Sequence, residues 1–406
     1  MSDTPIPPDV LAHILSRLPV PSLLRLRSVS KPFRALIDSD YLIKLHLHHS
    51  LQSNSNTHLI FGGDRSLSYL SLDPPSAAAA AAAAVTPTHN PLYFAIFEPV
   101  ILGSSNGILC LCTTEPDNEI VFWNPLVRKF KKTKLPPAKC IQGSGRGICI
   151  KGFGYDHLHD DHKVVRLVQY CNLFKDPLHS KLEVFSLRSE RWKEIGDFPY
   201  HLCKRRYLNV YANGALHWLV SKEPDLRTNF MIAAFDLATE ELRFVPRPDF
   251  ADFADRNNNL QASQVNMGVL GGCLCMVCNY PKTNVDIWVM KSYGVKDSWS
   301  RLISTSDGKI VRELDFLRPI VYSKSGREVL LEKNFERFYW YDLGNKTSKR
   351  FKVVGMPRFF VSEVFTGSLA QVNIGSGSRN VTKKEQNEKD SRKKDDFLSK
   401  GFRLVL

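Results

Sequence analysis

The sequence has no run of 18 or more apolar residues. A helix crossing a bilayer needs about that many, so no transmembrane helix and no membrane partner are expected. The opening residues, MSDTPIPPD, carry no basic start followed by an apolar stretch, so they do not read as a secretory signal. Cysteine is sparse, with nine residues placed singly or in alternation. That excludes a dense disulfide framework and suits reduced core thiols in the cytoplasm and/or nucleus. The sequons at Asn345 and Asn380 then carry no glycan. Catalytic signatures are also missing: there is no G-x-S-x-G and no H-E-x-x-H. No catalytic residue, cofactor or metal site is expected.

Acid is the scarcer charge. Against 55 Lys and Arg stand 41 Asp and Glu, giving a net charge of +14. The excess is spread out, with denser places at Arg128–Lys151 and in the tail after Arg379. Neither interleaves the stacking aromatics of a single-stranded nucleic-acid groove. A basic solvated face is therefore preferred over a nucleic-acid site.

Helical spacing is confined to one stretch, residues 6–37. Leu11, Ile14, Leu15 and Leu18 fall at i, i+3, i+4 and i+7, one stripe of an amphipathic helix. Pro7 and Pro8 precede it, and Asp9 suits the positive end of its first turn. Pro19 and Pro21 stop it. Ser22 can cap a second short helix, Leu23–Val29. Ser30 can cap a third, with Phe33, Leu36 and Ile37 on one face. Helices this short cannot bury their apolar faces on one another. Each Leu or Ile buried is worth roughly 1.5–3 kcal/mol, so a further surface must cover them. On periodicity that surface is either an outside partner or the rest of the chain.

This segment resembles an F-box. Pro7, Asp9, Val10, Leu11, Ile14, Leu15, Arg17, Leu18, Pro19, Ser22, Leu23, Leu24, Arg25, Arg27, Val29, Lys31, Arg34, Leu36 and Ile37 match that pattern in register. Departures fall at Pro8, at Ser30 where Cys is usual and at Phe33 where Trp is usual. The resemblance implies docking onto a Skp-type adaptor of a cullin-based ubiquitin ligase. By the same analogy Pro7, Leu11, Ile14, Leu15, Leu18, Pro19, Leu23 and Leu24 lie at or near the adaptor interface. Val29, Phe33, Leu36 and Ile37 hold the helices together.

Residues 38–50 are expected to continue as a connecting helix, and His46, His48 and His49 cannot share one face of it. Residues 59–72 read as two strands around a Gly-rich turn. Eight alanines flanked by prolines then form a low-complexity surface loop, 74–91.

From residue 94 a unit recurs about every 50 residues. A turn with Asn-Gly or Gly leads into an apolar strand in SSNGILCLC, YANGALHWLV, LGGCLCMVC and YSKSGREVLLE. An aromatic strand, a polar turn and a closing strand follow. The period and the strand content match a β-propeller blade. Five units are countable. A sixth is built from residues 59–72 and 359–372, joining the two ends of the body in one sheet. Six blades are expected, with seven as the alternative. Trp123, Trp192, Trp218, Trp288, Trp299 and Trp340 recur at equivalent places, which favours blade packing over a binding cage.

Residues 90–372 are similar to the F-box-associated, kelch-like interaction domain of the large plant F-box family. The similarity rests on NPLVRKFKKTKLP, GFGYDHLHDDHKVVRLV, LEVFSLRSERWKEI, NGALHWLV and FVSEVFTGSLAQV, in the family's order. Members resembling this chain include regulators of immune receptors and pollen-recognition F-box proteins.

The expected organisation is an F-box module at 1–50, a linker at 51–58, a propeller at 59–372 and a disordered polar tail at 373–406. The implied function is substrate recognition for a Skp–cullin–F-box ligase. Its partners would be the adaptor, through it the cullin, and a specific protein substrate. The alternatives are an adaptor-independent scaffold whose helices pack on the propeller, and a nucleic-acid binder using Arg128–Lys151. Because the ring closes on itself, it offers the helices no obvious seat, which favours an outside partner for Leu15 and Leu18. Candidate substrate loops are 138–148, 197–206, 221–229 and 248–263. The triplet Cys273, Cys275, Cys278 and the turn DHLHDDH at 156–162 are read as core residues and an exposed hairpin turn, not as metal sites.

Overall fold

In the computed structural model, the described residues are 6–63, 66–72, 83–92, 99–113, 119–136, 147–170, 179–203, 210–223, 230–249 and 264–372. Four helices open the chain: α1 (Pro8–Leu15), α2 (Val20–Leu26), α3 (Lys31–Ile37) and α4 (Asp40–Gln52). The expected stripe through Leu18 is cut short. α1 ends at Leu15, and Leu18 lies in the turn beyond it, its N–H donating to the Leu15 carbonyl at 3.0 Å.

The second helix begins three residues earlier than expected. Pro19 and Pro21 do stop α1, but they also open α2, because the first N–H groups of a helix have no intrahelical acceptor to lose. Ser30 caps α3, accepting from the Phe33 N–H at 3.3 Å. Ser39 caps α4 in the same way at Leu42, 3.2 Å.

Among the described residues the strands form seven sheets: six are the blades of a six-bladed β-propeller, and the seventh is a short parallel pair, Val353–Val354 with Ala83–Ala84. Blades 1 to 5 occupy Val100–Lys134, Gly147–Gly196, His201–Val245, Val265–Thr305 and Leu317–Phe351. Blades 1, 2, 4 and 5 are four-stranded meanders running outward from their first strand; in blade 3 two short strands, His201–Leu202 and Val210–Ala212, both pair with Ala215–Ser221. Blade 6 takes its inner strand from the chain's end, Val361–Thr366. Its next strands come from the beginning: Thr57–Gly63, Ser66–Ser71 and Thr86–Thr88. Thr57 pairs with Thr366 and Gly62 with Val361, so the ring is closed by backbone hydrogen bonds between residues some 300 positions apart.

The first-strand turns behave as their residues require. Asn106 and Gly107 have φ of 49° and 76°, Asn213 and Gly214 of 48° and 74°. Both central positions of such a turn need positive φ, which Asn and Gly tolerate. Gly107 also admits no side chain, since a Cβ there would lie 2.0 Å from the Ser368 hydroxyl.

Strand alternation fixes two faces. The helices enter at Thr57, the end of its strand that lies beside Thr366, so they share a near face with the Asn106–Gly107 and Asn213–Gly214 turns. The strand ends flanking 113–118, 135–146, 171–178, 197–209, 222–230 and 246–264 all lie on the far face. The four candidate loops belong to these connections. Of them only 147–148, 197–203, 221–223 and 248–249 are among the described residues. The alanine tract before Ala83, Gly143–Arg146 and the tail from 373 lie outside them too.

The helices do have a seat on the ring, contrary to the expectation drawn from its closure. One apolar cluster runs from Leu11, Leu15, Val20, Leu23, Ile37 and Leu42 into Ile60, Leu67, Leu109, Trp123 and Phe365 of blades 6 and 1. Leu369, just past the closing strand, belongs to it as well. The Asn124 side-chain amide donates to the Ser368 and Ala370 carbonyls, both at 2.9 Å, and holds that segment across blade 1. At the join the Gly367 N–H donates to the Asn56 carbonyl at 2.7 Å.

Candidate docking site on the helical module

α1 has two opposite faces. Leu11, Ala12 and Leu15 turn inward and are 6, 1 and 2 % exposed. Val10 and Ile14 turn outward and are 48 and 49 % exposed. Pro7 and Pro19 are exposed, and Leu18 and Leu24 are half-buried beside them. Leu23 is fully buried. The eight residues assigned to the adaptor interface therefore divide. Pro7, Ile14 and Pro19 present surface, with Leu18 and Leu24 at its margin. Leu11, Leu15 and Leu23 form the floor beneath and are covered by the chain itself. The outward half-turn includes Val10, four residues before Ile14, which a stripe counted from Leu11 passes over.

The assigned internal residues divide too. Ile37 is buried, and Phe33 and Leu36 are half-buried against the cluster. Val29 does not hold the helices together: it is 68 % exposed, in the turn after α2. The α2–α3 turn is tied instead by a fork between the Arg27 guanidinium and the Asp38 carboxylate, at 2.6 and 2.8 Å.

His46 fixes α4 to the α1–α2 turn. Its Nε2 lies 3.0 Å from the Leu18 carbonyl, and the residue is fully buried. Burial lowers its pKa, so it is neutral at pH 7 and Nε2 carries the donated proton. The three linker histidines do not form a cluster: His46 is inside, while His48 is exposed and His49 half-buried.

Among the described residues no three His, Cys, Asp or Glu side chains are placed to hold a metal ion. Cys275 and Cys278 are buried core residues, and burial raises both thiols. In the turn at 156–162, only part is exposed. Asp156 is buried and pairs with Lys163 at 2.9 Å and with His159 at 2.7 Å. Burial alone would raise the Asp156 pKa; the hydrogen bonds from Lys163 and His159 hold it low instead. Lys163 also reaches Glu240 at 3.0 Å and the Leu237 carbonyl at 2.6 Å, so the group joins blade 2 to blade 3. Sequence reading missed this because Glu240 lies far along the chain.

Two family descriptions match. Residues 5–45 match the F-box domain, and 91–378 match the F-box associated beta propeller domain. The chain is an F-box protein of the propeller-bearing family. It is 35 % identical to the F-box protein CPR1 of Arabidopsis thaliana, over 99 % of each chain. It is 30 % identical to the Arabidopsis thaliana F-box protein At4g22390, over 98 % of this chain and 99 % of that one. The F-box/kelch-repeat protein At3g23880 is 27 % identical over 80 % of this chain and 85 % of its own. A solved propeller, that of Dos1, aligns over 74 % of this chain and 69 % of its own at 9 % identity, with a TM-score of 0.36. F-box proteins with a propeller are generally non-catalytic substrate receptors of Skp–cullin–F-box ubiquitin ligases.

Proposed function

We propose that this F-box protein recruits a specific protein substrate to a Skp–cullin–F-box ligase for ubiquitination and proteasomal degradation. The exposed pair Val10 and Ile14, flanked by Pro7 and Pro19 over a floor of Leu11, Leu15 and Leu23, carries the reading. An apolar line left uncovered on a module otherwise seated on a ring calls for a partner. The Skp-type adaptor covers that line, and the cullin joins through the adaptor. The substrate sits on the far face, at the strand ends that flank the long connections of blades 1 to 3. Catalysis is by proximity: holding the substrate near the ubiquitin-carrying enzyme raises its effective concentration. The resemblance to regulators of immune receptors extends the proposal to plant defence, with an immune receptor as the candidate substrate.

The experiment is capture of the full chain by a Skp-type adaptor, wild type against Val10→Asp plus Ile14→Asp. Both positions are exposed, so the fold stays intact and adaptor recovery falls at least about tenfold, some 1.4 kcal/mol. Equal recovery would sink the proposal. A second reading, the adaptor-independent scaffold, draws on the apolar cluster shared by helices and ring. It requires the purified chain to remain monomeric with no adaptor captured at any concentration tested.

A further inference from the structure

From Leu343 to Ser362 the chain holds five cations, Lys346, Lys349, Arg350, Lys352 and Arg358, and no acidic residue. The stretch covers the outer strand of blade 5, Thr347–Phe351, and the connection to the ring-closing strand. Lys349, Arg350, Lys352 and Arg358 are exposed, and none forms an ion pair with a described carboxylate. Asp307, which reaches this strand, is occupied by the Ser348 hydroxyl and the Lys309 N–H. Asp342, at its start, accepts from the Gly344 and Asn345 N–H groups.

Lysines on an outer strand are an ordinary guard against edge pairing. Blade 1 shows that arrangement at Lys129–Lys134, where Lys131 pairs with Glu190 at 2.6 Å and Lys132 with Glu119 at 3.6 Å. The blade 5 strip differs in two ways. Its exposed cations pair with no described carboxylate, and it exposes two large apolar side chains, Val354 at 58 % and Phe359 at 57 %, where the blade 1 strand exposes Phe130 at 43 % with His89 stacked on it.

The outward ring is held there by the fold. Phe360 is 2 % exposed and stacked on Phe338 at 5.0 Å, with Phe61 edge-on at 5.5 Å. Its neighbour Phe359 therefore turns to solvent, with the Arg358 guanidinium 5.4 Å over its ring. Strand Thr347–Phe351 runs from the near face to the far face, so Lys352, Val354, Arg358 and Phe359 lie at the far end, away from the F-box.

We propose that this strip docks an acidic, apolar-bearing segment of the protein substrate. Carboxylates meet Lys349, Arg350, Lys352 and Arg358, and an apolar side chain covers Val354 and Phe359. The proposal rests on the receptor reading and gives the substrate's chemistry. One exposed ring provides no stacking ladder for bases. Two apolar side chains provide no broad face for insertion into a membrane.

The test uses the full chain purified with its adaptor and a fluorescein-labelled peptide alternating Asp or Glu with Phe or Leu. Comparison probes are the same peptide with Ser for its apolar residues, a single-stranded oligonucleotide and phosphatidylserine vesicles. Combining Lys349→Glu, Arg350→Glu and Lys352→Glu should weaken peptide binding at least about tenfold, and more at low salt. Phe359→Ser should weaken it about threefold or more, without changing its salt dependence. Lys131→Glu plus Lys132→Glu on blade 1 should cost less than about twofold. The Ser peptide should bind more weakly than the parent.

Equal losses on both blades, equal binding of the Ser peptide, or tighter binding of oligonucleotide or vesicles would each overturn the proposal. Adaptor capture is read on the same preparations. Loss of strip dependence with capture intact rejects the strip alone, and failed capture by wild type rejects the receptor reading.

Discussion

The helical module and the propeller solve the same problem, covering apolar surface, by different means. The propeller covers its own: six sheets stack side by side, and the last is closed by pairing Val361–Thr366 with Thr57–Gly63. The module cannot. Its first three helices have 8, 7 and 7 residues, too short to persist alone in water. It borrows its floor from blades 6 and 1 and still leaves Val10 and Ile14 uncovered. A closed ring therefore gives a rigid platform, and an unfinished module gives a place for something else to attach.

The largest test of this contrast is the residue both regions share. Phe365 is 1 % exposed and sits in the cluster joining the helices to the ring. Phe365→Ala should cost about 3–5 kcal/mol and lower a single unfolding transition. Two separate transitions by calorimetry would show that module and ring are independent.

Acid comes next. His217 links blade 3 to blade 4, with Nδ1 3.0 Å from the Val210 carbonyl and Nε2 2.6 Å from the Tyr293 hydroxyl. Burial pushes its pKa from 6.5 down to about 4. A histidine with a depressed folded pKa stays neutral while the unfolded chain takes up a proton. Stability is therefore fully present above pH 6.5 and falls as pH drops towards 4, by roughly 3 kcal/mol. Burial also lowers His46 in the module, so both regions should weaken with the same sign. Denaturant melts across that range check this, and His217→Asn should flatten the slope.

Adaptor capture sharpens the contrast further. Ile14→Asp should cut capture about tenfold, or about 1.4 kcal/mol, and leave stability nearly unchanged. Leu15→Asp should fail differently, by unfolding the module, because Leu15 is 2 % exposed. If Leu15→Asp leaves the melt unchanged, the floor assigned to Leu15 is wrong. The smallest effect is at the Arg27–Asp38 fork, whose side chains are about a third exposed. Arg27→Ala should cost about 0.2–1 kcal/mol, less at high salt. A larger loss would mean that the α2–α3 turn depends on the fork more than on its apolar neighbours.

Much of this was legible along the chain because it depends on neighbours in sequence. Asn106–Gly107 and Asn213–Gly214 announce their turns, since few other residues tolerate that φ. Ser30 announces its cap. The recurrence of turn and apolar strand yields a propeller, and pairing residues 59–72 with 359–372 follows from the need to remove free edges. The site was half legible. Helical spacing put Leu11, Ile14, Leu15 and Leu18 together, but periodicity cannot say which side of a stripe meets the protein's own body. It therefore grouped Leu15 with Ile14, and the F-box resemblance, which likewise carries no contact of this chain, placed Val29 inside.

The amino-acid order by itself determined the short proline-bounded helices, the turns and the alternating strands, all set by local backbone preference. Tertiary structure alone decided that the module rests on blades 6 and 1. It also joined Lys163 to Glu240 and turned Phe359 out as Phe360 turned in. Those outcomes depend on contacts between residues far apart in the chain, which no local spacing records.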